Sequence, residues 1–75
     1  MSDNSNVWVV KDGDDWAVRR EGASRASSRH DTQAQAISQA RDTARREGVE
    51  MIWQGRDGKI QGRNSYGNDP YPPPG

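Results

Sequence analysis

The chain has no cysteine and no phenylalanine, a single histidine, and no long apolar run. Without cysteine there is no disulfide framework, thiolate nucleophile or thiolate metal site. His30 alone cannot build a metal cluster. No segment approaches membrane-spanning length, and the N-terminal "MSDNSN" lacks the basic-then-apolar layout of a signal peptide. A cytoplasmic protein is the expectation. Net charge is absent too, since 11 basic residues balance 11 acidic ones.

Apolar residues are also scarce, at 29% of 75. A chain this short buries a small share of its surface. Trp8, Trp16 and Trp53 must therefore supply much of the core. Either marginal stability or a dimer is expected.

The charge balance hides an uneven distribution. Residues 1–15 carry four Asp against Lys11, whereas residues 16–63 carry ten basic side chains against six acidic. Nine of the basic residues are Arg, the type suited to bidentate phosphate or carboxylate contacts and to stacking on aromatic rings.

"NVWVVKDGDDWAVRREG" reads as a hairpin, with β-branched and aromatic runs on either side of an Asp-Gly pair. Strands are expected over 7–11 and 15–20. A turn at Asp12 and Gly13 would set Val9 opposite Trp16, Val7 opposite Val18 and Trp8 opposite Ala17. One face then carries Val7, Val9, Trp16 and Val18, and the other Trp8, Val10 and Ala17. Residues 21–31, "EGASRASSRHD", are small, polar and aperiodic, and read as a flexible basic connection.

"TQAQAISQARDTARREG" reads as a helix. Thr32 is its N-cap, Gln35 completes a capping box, and Gly48 is the left-handed C-cap. Ala36, Ile37, Ala40 and Ala44 share one face, and a face of small side chains allows close approach to a sheet. "VEMIWQGRDGKIQGRN" reads as a second hairpin centred on Asp57 and Gly58. It places Val49, Met51, Trp53 and Ile60 on one face and Glu50, Ile52, Gln54, Gln61 and Arg63 on the other.

The expected fold is an α+β two-layer ββαββ sandwich, a four-stranded mainly antiparallel sheet with one helix on one face. Setting the strand after the helix beside the first strand makes the sheet wholly antiparallel; simple sequential order is the competing arrangement. Residues 1–6 read as a disordered N-terminus, 7–70 as a single domain and 71–75 as a Pro-rich flexible tail.

The run from "VWVV" through "RREG", the helix "DTQAQAISQARDTARREG" and above all "GRDGKIQGRNSYGNDPYPPPG" resemble the small bacterial proteins grouped as DUF2188, a domain of unknown function. The resemblance implies a bacterial, single-domain protein and brings no activity and no site residues with it.

Three stretches carry residue types that could do chemistry. "DGDD" (Asp12–Asp15) lacks the alternating ligands and terminal Glu of a calcium loop. Ser27, Ser28, His30 and Asp31 are close in sequence without a nucleophile elbow or oxyanion motif. No catalytic residue, cofactor or metal is assigned, and a non-enzyme is expected. Arg41, Arg45 and Arg46 read as a solvated helix face.

The candidate interaction surface is the open sheet face, with Trp8, Val10, Ala17 and Ile52 as an apolar patch and Arg19, Gln54, Gln61 and Arg63 beside it. An uncovered patch of this kind asks for a protein partner or a second copy. The alternative is a nucleic-acid module in which Trp8 stacks on bases and Arg19, Arg20 and Arg63, with Arg25 and Arg29 in the connection, meet phosphates. Tyr66, in "NSYGNDP", is the expected anchor of a segment folded back on the domain.

Overall fold

A computed structural model of the chain describes residues 5–66. Its elements are β1 (Val7–Asp12), β2 (Asp15–Arg20), β3 (Ala26–His30), α1 (Gln33–Glu47), β4 (Glu50–Gln54) and β5 (Ile60–Ser65). They form one five-stranded sheet in the order β3-β2-β1-β4-β5, with α1 packed across one face. The α+β two-layer architecture is as expected, with one strand more than the expected four.

The additional strand lies in the stretch expected to be a flexible connection. β3 pairs antiparallel with β2, His30 against Trp16 and Ser28 against Val18. Its helix-facing positions are polar, and they satisfy each other through a 2.9 Å hydrogen bond between the Ser28 hydroxyl and His30 Nε2. An edge strand built this way needs no apolar alternation, so it carries none of the usual strand signal.

That extra strand also reverses the chain once more before the helix. β4 therefore enters beside β1 in parallel, Val7 against Met51 and Val9 against Trp53. Of the two arrangements left open, the strand after the helix does lie beside the first strand, but parallel to it, so the sheet is mixed, with its other three pairings antiparallel.

The first hairpin turns at Gly13 and Asp14, because Asp12 pairs with Asp15. Gly13 has φ +63° and no non-glycine residue among those described has positive φ. Placing Gly at the first central position thus avoids a left-handed Asp, which the expected Asp12-Gly13 turn would have required. Val9 consequently faces Val18 rather than Trp16. The register moves by two residues, an even number, so the side chains keep their expected faces.

In the second hairpin Gly58 supplies the positive φ, at +81°, and the Asp57 carboxylate accepts from the Lys59 amide at 3.0 Å. A bulge interrupts the ladder after Trp53, leaving Ile60 opposite Gln54. This moves Ile60 off the helix face, where it was expected, and leaves it 51% exposed. Gln61 turns instead toward α1, where its carbonyl accepts from the Gln33 amide at 2.9 Å.

α1 starts and stops where its caps require. The Thr32 hydroxyl accepts from the Gln35 amide at 3.1 Å, and Gly48, at φ 70°, donates to the Ala44 carbonyl. The Gln35 side chain reaches back to the Asp31 amide at 3.3 Å, one residue earlier than a capping box needs. Ala36, Ala40 and Ala44 are wholly buried against Val7, Val9, Val18 and Met51. Each such buried Val or Met contributes about 1.5–3 kcal/mol. Trp16 lies within this core, while Ile37, Trp53 and Tyr66 are partly buried against it.

Both ends of the described chain are tied to one place. The Asn6 side chain accepts from the Glu50 amide at 3.1 Å, and the Tyr66 amide donates to the Val49 carbonyl at 3.3 Å. Ser5 accepts through its carbonyl from Arg20 at 2.8 Å. Ser5 and Asn6, expected to belong to a disordered start, are thus held by the domain. Residues 1–4, 67–70 and the expected tail 71–75 lie outside the described residues.

Candidate functional site

The face of the sheet opposite α1 has no helix or strand across it among the described residues. Register places Trp8 and Val10 of β1, Ala17 and Arg19 of β2, Arg29 of β3, Ile52 and Gln54 of β4, and Arg63 of β5 together there. The expected surface residues other than Gln61 therefore share one face. The patch is less apolar than expected, however. Ala17 and Ile52 are 1% and 2% exposed, because each is a shorter side chain set between longer neighbours. Ile52, for example, lies between Trp8 and Arg63 in the ladder. Trp8, Val10 and Ile60 are the apolar groups that reach solvent.

Two shallow grooves cross this face and share Val10 and Arg19 as a common ridge. The smaller, of about 250 Å³, runs beside Trp8, Glu21 and Gln54. The larger, of about 430 Å³, has Val10, Ala17 and Ala26 as an apolar lining and Lys11, Arg19, Arg25 and Arg29 as its cations.

Most polar groups here are already engaged within the chain. The Trp8 indole N–H donates to the Glu21 carboxylate at 3.2 Å, fixing the ring at the groove's edge. Arg19 donates to the Ala23 carbonyl at 2.7 Å. Arg29 pairs with Asp12 at 2.9 Å and Arg63 with Glu50 at 3.6 Å. Arg25 is exposed and makes no ion pair among the described residues.

Arg20 stands apart. It pairs in register with Val7 on the helix face, and its guanidinium meets Glu47 of α1 at 2.5 Å with only 18% of its side chain exposed. Its guanidinium ties β2 to the end of the helix on the side away from the open face, although the residue also borders the smaller groove. Gln61 is likewise turned to α1. Tyr66 is partly buried against the core, and the rest of its expected clasp lies outside the described residues.

A third groove, of about 590 Å³, lies at the start of α1 between Trp16, Gln33, Arg56 and Gln61. Its charged lining is of mixed sign, Asp31 and Asp57 beside Arg56. Trp16 is 7% exposed, and the Gln33 amide is taken by Gln61 and by the Gln54 carbonyl at 3.0 Å.

The Ser28–His30 pair was missed as a contact by sequence reasoning, which had weighed both residues only for their proximity. Among the described residues no third group orients the other ring nitrogen of His30. A hydroxyl–imidazole contact without an orienting partner or oxyanion donors is a poor base–nucleophile unit.

The family model of an uncharacterized protein conserved in bacteria, DUF2188, matches residues 7–66. The chain belongs to this family. Its match runs from the first residue of β1 to the last described residue, so the family unit coincides with the five strands and helix. The chain is also similar to the uncharacterized protein YdaT of Bacillus subtilis (strain 168), at 38% identity over 65 residues. That alignment covers 87% of this chain and 43% of the relative, so the DUF2188 chain spans under half of that protein's length. No solved structure matches it. No helix among the described residues is long and apolar enough to cross a membrane.

Proposed function

We propose that this DUF2188 domain is a cytoplasmic, non-enzymatic accessory domain that acts through its open sheet face, and that the occupant of that face is a second copy of the same chain. The observation that carries this reading is the face itself. It has Trp8 and Val10 at its centre, Ile60 at one flank, and cations that are largely matched by acids or carbonyls of the same chain.

Charge pairing favours protein over nucleic acid. A phosphate backbone would have to compete with Asp12 for Arg29 and with Glu50 for Arg63. Among the described residues this face offers one aromatic ring for stacking, where single-strand binders use several. Two such faces can instead bring the acids of one copy to the cations of the other, the situation in which interfacial ion pairs add specificity.

Sedimentation velocity of the wild type and Trp8→Ala tests this. The wild type is expected to dimerise in the micromolar range, and truncating a central Trp should weaken association by about 2 kcal/mol, or roughly 30-fold. A wild type that stays monomeric at high concentration would overturn the reading. If short DNA or RNA at low salt then shifted the resonances of Trp8, Arg19 and Arg25, the nucleic-acid alternative would replace it.

A further inference from the structure

The first hairpin ends in a concentration of acid that the described chain balances only in part. Asp12 and Asp15 face each other directly across the ladder, an arrangement in which like charges repel. Asp14 sits at the exposed tip beside Gly13. Arg29 neutralises Asp12 at 2.9 Å, and the nearby Lys11 ammonium is directed to the Gly13 carbonyl and over the Trp16 ring at 5.6 Å. Asp14 and Asp15 make no ion pair among the described residues.

The larger groove on the open face has the opposite imbalance. Lys11, Arg19, Arg25 and Arg29 line it with Asp12 as its carboxylate; four cations less one anion leave an excess of three. Arg19 uses part of its fork on Ala23, and Arg25 has no acidic partner. With Arg29 paired to Asp12 and Lys11 turned to the Gly13 carbonyl, the two carboxylates at the turn match the two guanidiniums of the groove without an acidic partner among the described residues, Arg19 and Arg25. Both lie on the β1–β2–β3 half of the same face.

We infer that the Asp14–Asp15 turn of one copy seats in the Arg19–Arg25–Arg29 groove of the other, reciprocally, and so sets the register of the self-association proposed above. The inference rests on that reading and specifies it. Because turn and groove belong to one chain, a two-fold axis between facing sheets satisfies both contacts at once and closes the assembly at two copies. The apolar groups at the centre supply the buried area, and the turn and groove select one orientation among those the apolar patch alone would allow.

Two charge reversals at exposed positions, Asp14→Arg and Arg25→Glu, provide the test. Neither side chain is bonded to the core, so both variants should keep the wild-type melting temperature at concentrations below the dimerisation range. Sedimentation velocity should show each alone self-associating at least about tenfold more weakly than wild type, the scale of one lost close charge pair. An equimolar mixture should recover wild-type dimerisation, because the basic turn then meets the acidic groove while the second contact keeps its native charges. The chain carrying both reversals should dimerise alone.

If both single variants dimerise like wild type while Trp8→Ala does not, the register is wrong and the open-face reading stands. Weakened variants that do not recover on mixing overturn the inference as well. A wild type that is monomeric throughout overturns the open-face reading itself.

Discussion

Gly62 offers a sharp test of how β4 and β5 pack. It lies directly opposite Trp53, and a methyl group built on it would come within 2.4 Å of Trp53 Cζ2 and 2.9 Å of Cε2 and Cη2. Ordinary carbon contacts lie at roughly 3.5–4.0 Å, so the indole would have to retreat by on the order of 1 Å from a core it partly fills. Overpacking of this kind costs about 1–3 kcal/mol. Replacing Gly also restricts the unfolded chain, which returns about 0.4–1 kcal/mol. Gly62→Ala should therefore lose about 1–2 kcal/mol, and in a domain this small the melting temperature should fall by about 4–16 °C.

Gly55→Ala is the matched control. The atoms its methyl group would meet belong to the amide end of Gln61, with Nε2 nearest at 2.7 Å. That side chain can swing away for the loss of one hydrogen bond to Gln33, about 0.5–1.5 kcal/mol, largely offset by the same entropy gain. Urea titrations followed by tryptophan fluorescence should separate the two variants clearly. In a Trp53→Leu background the Gly62→Ala penalty should shrink by about 1 kcal/mol, a coupling that a double-mutant cycle measures. Equal stability of Gly62→Ala and Gly55→Ala, or a penalty independent of residue 53, would refute the packing argument.

Two further outcomes follow from contacts at the helix ends. Thr32→Ala removes the hydroxyl that accepts from the Gln35 amide and should cost about 1 kcal/mol in chemical denaturation, with Thr32→Ser restoring most of it. Glu47→Gln removes the charge facing Arg20, whose side chain is 18% exposed; a loss of about 1–2 kcal/mol is expected by the same measurement, and no loss would mean that the pair contributes nothing net.

What could be read from the sequence divides along physical lines. The helix was legible because its signals are local: Thr32 and Gly48 satisfy the terminal amide and carbonyl groups themselves, and the Ala36–Ala40–Ala44 stripe has helical period. Strand faces were legible because alternation survives an even change of register, which is why Val7, Val9, Trp16 and Val18 stayed together although their partners moved. β3 was not legible, since Ser28 and His30 solve their burial by bonding each other rather than by being apolar. Strand direction failed with it, as direction depends on counting every reversal. The displacement of Ile60 and Gln61 was hidden in the bulge, a feature that no alternation pattern records. At the candidate surface, Trp8, Val10, Arg19 and Arg63 could be grouped from parity alone. The separation of Arg20 could not, because it depends on Glu47, which the helix delivers from a distant part of the chain.

Asn6 and Tyr66 bracket one short stretch of chain, the first holding the Glu50 amide and the second the Val49 carbonyl. Entry and exit of the domain are thereby set side by side. A unit with that geometry is a plug: it can be spliced into a surface loop of another protein, or joined end to end and reopened at the Gly55–Gly58 turn, without drawing its core apart.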